Sequence, residues 1–172
     1  RVIARDGHFH RAGRDGKRVR IWGVNLCFGA CFPTHADATR VAKRLAAFGI
    51  NSVRFHHMDN QKFPGGIWDA TDPMKLSPEA LDRLDYFIDQ LARRGIWSNI
   101  NLHVSRSHSR HLNLPSPGAE LNYDKIVDIF TPKLIDAQKK FARDLLTRTN
   151  KYRKTTYAAD PAIAFVEITN ED

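Results

Sequence analysis

Four apolar segments of this chain break off on polar side chains able to bind, donate or accept protons. They are Gly23-Val-Asn25, Val53-Arg-Phe-His-His57, Ile100-Asn-Leu-His103 and Phe165-Val-Glu-Ile-Thr-Asn-Glu-Asp172. If each is a strand, alternation places Asn25, Arg54, His56, Asn101, His103, Glu167, Thr169 and Glu171 on one face. Carboxylates beside an arginine are costly to bury unless paired, and grouping them around one axis is how active sites obtain the shifted pKa values that acid/base chemistry requires. A second chemistry competes, because His56, His57, Asp59 and His103 are all metal-ligating types. Adjacent strand residues point to opposite faces, so His56 and His57 cannot both ligate without a bulge.

The elements that position these residues follow from periodicity and punctuation. Thr34, with Asp37 three residues on, caps a helix carrying Ala38, Val41, Ala42, Leu45 and Phe48, which Gly49 ends. Ser77-Pro78 opens a second helix with Leu81, Leu84, Ile88 and Leu91 in a stripe ending at Gly95, and Thr131-Pro132 opens a third through Leu134, Ile135, Phe141 and Leu145. Asp6-Gly7 and Asp15-Gly16 are turn signals, and His8 to Arg11 with Arg18 to Trp22 reads as a small antiparallel hairpin. The order is thus hairpin, then β-α-β-α-β-α-β.

Repeated βα units predict a parallel sheet covered by helices. In a doubly wound sheet both faces are buried and strands are apolar throughout, whereas Ile100, Leu102 and Val104 here alternate with Asn99, Asn101 and His103. A barrel accounts for that, since its inner face opens near the carboxyl ends of its strands into an active-site mouth. It also accounts for the loops: the connections after the second and third strands, near 58–76 and 105–130, are long, and the returns at Gly49 and Gly95 are minimal. The expected fold class is therefore α/β, a (β/α)8 TIM barrel of which this chain holds the first four βα units, with residues 1–20 as a hairpin closing its bottom and residues 21–172 as the first half of a catalytic domain. A whole barrel takes about 250 residues, against the 172 here.

Composition narrows the partners. With 42% hydrophobic and 27% charged residues the chain has apolar material for one core of ordinary size. The net charge of +8 is uneven: residues 1–20 hold seven Lys/Arg against two Asp, a net of +5, leaving +3 for the rest. No aromatic interleaving or nucleic-acid motif accompanies the basic end, so a solvated surface is the reading and no nucleic-acid partner is expected. No run reaches the 18 or so apolar residues of a membrane helix, no membrane partner is expected, and the basic start lacks a signal peptide's apolar stretch, so that a targeting segment would have to lie outside this sequence. Cys27 and Cys31 are spaced for neither a redox CxxC pair nor a zinc site and read as packed free thiols.

The strand-end residues resemble a known family. Val53-Arg54, His103 and Glu167-Ile-Thr-Asn170-Glu171, in that order, are similar to the clan A glycoside hydrolases, particularly the cellulase family, family 5. Gly16-Lys-Arg-Val-Arg-Ile-Trp-Gly-Val-Asn25 and Asp160-Pro-Ala-Ile-Ala-Phe-Val-Glu167 carry the likeness across nearly the whole chain. The resemblance implies a retaining hydrolase of a β-linked glycan, of endo-glucanase or mannanase type, secreted or periplasmic, with no cofactor and no metal. It implies Glu171 as general acid/base, Asn170 holding the sugar hydroxyl beside the reacting carbon, Arg54 keeping the partner carboxylate ionised, and His103 lining the subsite, with His56 and Asn25 on the same substrate-facing wall. Asp172 stands where the family commonly has proline, and the nucleophile Glu is expected beyond residue 172, in the remainder of the barrel on the same parent chain. Trp68, in the loop after the second strand, is a candidate sugar-stacking platform, while Trp22 and Trp97 are assigned to packing. A metal-dependent barrel hydrolase or isomerase, and a non-catalytic carbohydrate-binding half-barrel, stay open as alternatives.

Overall fold

The computed structural model describes residues 1–13, 16–114, 124 and 127–170. The first feature is a two-stranded hairpin of β1 (Val2–Arg5) and β2 (His8–Arg11), turned by Asp6 and Gly7, both in the left-handed region at φ 51° and 72°. Two successive positive φ values match the twist of the flanking strands, which is why Asp-Gly closes such a turn. This corrects the expected pairing: the main partner of His8–Arg11 is the preceding segment, and the following one adds a single bridge, His10 to Arg18.

Four parallel strands form the main sheet in sequence order: β3 (Gly23–Cys27), β4 (Ser52–His56), β5 (Trp97–His103) and β8 (Ile163–Thr169). Helix α1 (His35–Ala47) links β3 to β4, α2 (Pro78–Ala92) links β4 to β5, and α4 (Pro132–Leu146) precedes β8. Between them lie a one-turn helix α3 (His108–His111) and, before β8, a short hairpin of β6 (Thr149–Asn150) and β7 (Thr155–Thr156). Thr34 and Ser77 accept from the backbone N–H groups of Asp37 and Ala80, capping α1 and α2 as expected. Thr131 does not cap α4; its hydroxyl donates to the Val127 carbonyl (2.7 Å). After α1 and α2 the chain turns at Gly49 and Gly95, each at φ 74°, with Ile50 and Ile96 donating back to Leu45 and Leu91. That left-handed termination reverses direction within two residues.

The sheet's outer face makes the core. Val53, Phe55 and Ile100 are fully buried with Ala38, Ala42, Leu84, Phe87, Ile88 and Leu145 of the helices. The alternation inferred from sequence holds, so the opposite face is polar. At β8 it depends on an irregularity: Ser98 pairs with Ile163 but Asn99 pairs with Phe165, so Ala164 is an extra residue. One inserted residue exchanges the faces of a strand, and here it brings Glu167 opposite Asn101 and Thr169 opposite His103. Phe9 of the hairpin packs edge-on against Phe165 (5.0 Å), below the polar groups. Outward-facing Val166 and Ile168 on β8, and Trp22 and Phe48 at the β3 flank, are exposed. Trp22 therefore does not pack as expected, since no described element covers that flank.

Candidate active site

Arg54 is the hub of the inner face. Register sets it between Asn25 on β3 and Asn99 on β5. Its Nε donates to Glu167 Oε1 (2.8 Å) and its Nη2 to Glu167 Oε2 (2.5 Å), a two-pronged pair that fixes both planes. The same Nη2 donates to Asn170 Oδ1 (2.9 Å) and to Asn101 Oδ1 (3.3 Å), and Nη1 reaches Asn25 Oδ1 (3.5 Å). Asn99 Nδ2 donates to Glu167 Oε1 (2.5 Å), and buried His56 shares a 2.6 Å hydrogen bond with Asn101. The guanidinium, assisted by Asn99, holds the Glu167 carboxyl below its ordinary pKa despite partial burial. The network faces a cavity of about 630 Å³ that extends down to Phe9 and Phe165.

Four of the expected site residues thus meet, Asn25, Arg54, His56 and Asn170, with Glu167 beside them. Glu171 lies outside the described residues, as do Asp172 and much of the loop after β5. Arg54 was expected to serve a carboxylate beyond this chain; its partner among the described residues is Glu167. Asn99 shares the inner face in the sequence reading, yet only the bulge at Ala164 shows why it matters, by carrying Glu167 within its reach.

Two further expectations are corrected. His103 sits on the inner-face register but is 3% exposed, with its Nε2 2.5 Å from Asp128 Oδ2, its Nδ1 3.7 Å from Asp59 Oδ2, and its ring stacked on His108 at 5.9 Å. It is a buried anchor for the loops after β4 and β5 rather than a wall of an open subsite. Trp68 is 4% exposed, because the loop after β4 folds back in bridges from Trp68 to Lys62 and to Leu76. The Trp68 ring packs against Phe141 (5.1 Å) and under the Arg106 guanidinium (4.0 Å), its Nε1 donates to the Asp59 carbonyl (2.7 Å), and no face is left for a sugar.

Asp59 organises this second cluster. Its Oδ2 accepts from three successive backbone N–H groups, Val104 (2.8 Å), Ser105 (3.0 Å) and Arg106 (3.0 Å), which fixes how the chain leaves β5. Burial pushes the Arg106 pKa down to about 10, opposed by the charges of Asp59 and Asp124, and burial with the Arg106 charge pushes His108 down to about 3, so His108 is neutral. The alternation argument for His56 and His57 also needs revision: β4 ends at His56, His57 takes φ 53°, and the two rings lie 4.2 Å apart. Even so, no group of three or more His, Cys, Asp or Glu among the described residues is arranged to hold a metal ion.

Neither models of protein families nor curated proteins match the sequence, but solved structures match the fold. An endo-1,4-beta-mannanase from Rhizomucor miehei superposes with a TM-score of 0.75 at 22% identity, over 99% of this chain and 48% of that one. A family 5 mannosidase from the same organism gives 0.70 at 19% identity over 95% and 46%. An endo-beta-1,4-mannanase from Thermotoga petrophila gives 0.69 at 19% identity over 92% and 36%. The fold is that of the family 5 glycoside hydrolase barrel. The chain spans about half the length of these proteins or less, as its four βα units require of an eightfold barrel. The Arg54 network runs along the inner face from the middle of the strands to His56 and Asn170 at the carboxyl ends of β4 and β8, the end at which (β/α)8 enzymes carry their chemistry.

Proposed function

We propose that this chain supplies the acid/base half of a retaining glycoside hydrolase acting on a β-linked glycan. The observation that supports the reading is the fastening of Asn170, the residue that follows β8, to Arg54 (2.9 Å) inside the Glu167 network. In this reading Glu171 protonates the glycosidic oxygen as the bond to the anomeric carbon breaks, and then takes a proton from the water that releases the sugar. Asn170 presents its amide to the neighbouring sugar hydroxyl. Arg54 keeps local carboxylates ionised, and His56, through Asn101, stiffens the wall behind it. The nucleophilic carboxylate belongs to the part of the barrel beyond these four units, since retention needs a second carboxyl about 5–5.5 Å from the first.

A β-1,4-mannan is the first substrate to test, because the three similar structures named above are two mannanases and a mannosidase. In a protein carrying both halves of the barrel, Glu171→Gln should abolish hydrolysis of mannan, whose leaving group needs a proton. Activated aryl mannosides, whose leaving group does not, should keep most of their bond-cleavage rate, and binding should survive. Equal loss on both substrates would show that Glu171 is not the acid, and failure to hydrolyse mannan, β-glucan or any aryl glycoside would favour a non-catalytic binding role.

A further inference from the structure

Two bulky residues next to the Arg54 network hold a backbone conformation that side chains of their size rarely adopt. Phe28 follows the last residue of β3 at φ 53°, and His57 follows the last residue of β4 at φ 53°. Left-handed backbone at an aromatic residue is strained and persists only where its surroundings enforce it, which makes it a pointer to a site. The two rings stack at 4.6 Å and 18°, and His57 leads on through the His56 ring (4.2 Å) and Asn101 to Arg54.

The surroundings are built to keep that arrangement. His57 Nδ1 shares a 2.9 Å hydrogen bond with Ser105 Oγ, whose own backbone N–H is held by Asp59. Behind Phe28, the Cys31 thiol donates to the carbonyls of Leu26 (3.3 Å) and His56 (3.6 Å), and burial pushes its pKa up. Gly29 approaches the loop after β4 so closely that a Cβ there would lie 2.9 Å from the Pro64 carbonyl oxygen. Yet the ring so fixed is not buried: Phe28 is 40% exposed. Strain borne to bury a phenyl would be repaid by burial, whereas strain borne to present one needs a ligand to explain it.

We propose that Phe28, backed by His57, is a stacking platform for the apolar face of a pyranose ring at the rim of the Arg54 site, the role that buried Trp68 cannot take. The inference rests on the glycan reading above. A flat ring pre-set by its neighbours loses little side-chain freedom on binding, and the C–H groups on one face of a β-linked mannose or glucose unit match it in shape and polarity.

The test is titration with β-1,4-mannohexaose and with cellohexaose, followed by NMR, of a protein carrying both halves of the barrel and Glu171→Gln to prevent turnover, with Phe28 unaltered, Phe28→Gly or Phe28→Tyr. Glycine takes φ 53° without strain, so Phe28→Gly should keep or raise the melting temperature while weakening binding about tenfold, and Phe28→Tyr should bind within about twofold of the unaltered chain. Unchanged affinity in Phe28→Gly would overturn the platform and leave the glycan reading standing. Absence of binding in that otherwise unaltered two-half protein would overturn both.

Discussion

Replacing Arg54 by methionine tests whether the inner-face network is one electrostatic unit. The substitution keeps most of the side-chain stem and removes the guanidinium from Glu167, Asn170 and Asn101. Arg54 and Glu167 are 27% and 29% exposed, between a surface pair, worth under about 1 kcal/mol, and a fully buried one, whose breakage costs about 3–5 kcal/mol. Discounted for solvent, the expected loss is about 2 kcal/mol, or roughly 4–8 °C in melting temperature for a domain of this size. The carboxylate left behind should be the main cost, so adding Glu167→Gln to the Arg54→Met variant should restore more than half of the loss. Acid should act with opposite signs. In the unaltered chain Glu167 has a depressed pKa, and its stabilisation is present above the ordinary value of 4.5 and lost as pH falls through the folded value. In Arg54→Met, burial without the guanidinium raises that pKa, so mild acidification should recover stability. Urea unfolding at several pH values reads both effects. A loss below about 0.5 kcal/mol, or no rescue by Glu167→Gln, would show that Arg54 and Glu167 are not coupled as the distances indicate.

Two further expectations concern the second cluster. Trp68→Ala should destabilise the chain by about 3–5 kcal/mol in urea unfolding, as removal of a buried tryptophan does, and a stability near that of the unaltered protein would mean that Trp68 is not the packed core residue described. Asp59→Ala strands three backbone donors and should cost on the order of 3 kcal/mol, with faster hydrogen exchange at Val104, Ser105 and Arg106; unchanged exchange there would rule out Asp59 as the anchor of that turn.

How much of this was legible in the sequence depended on whether the deciding interaction was local. The caps at Thr34 and Ser77, the stops at Gly49 and Gly95, and the alternation of Ile100 and Leu102 with Asn99 and Asn101 all act within a few residues, and they give the parallel half-barrel with its polar inner face. The same locality brought Asn25, Arg54 and His56 to one place, because strand parity decides which face each occupies, whereas Asn170, one residue past β8, joins them through its hydrogen bond to Arg54. Trp68 was misread for the opposite reason. It stands in a long loop, and nothing nearby shows that the loop folds back on Lys62 and Leu76 to bury it beneath Arg106 and against Phe141.

His103 fails in the same way, since the acids that enclose it, Asp59 and Asp128, come from two different loops. Phe28 and His57 show the remaining kind of blindness. Their left-handed backbone has no glycine or asparagine to announce it, and the strand rule that sends His56 and His57 to opposite faces stops applying one residue too early. Glu167 lies on the inner face as its alternation predicts, and only the extra residue at Ala164 that sets it opposite Asn101 was not legible. These departures from local rules come from contacts distant in sequence. A barrel whose helices and returns obey local rules fixes a scaffold, which leaves its mouth free to hold strained rings, buried charge pairs and a register shift that would be penalised elsewhere.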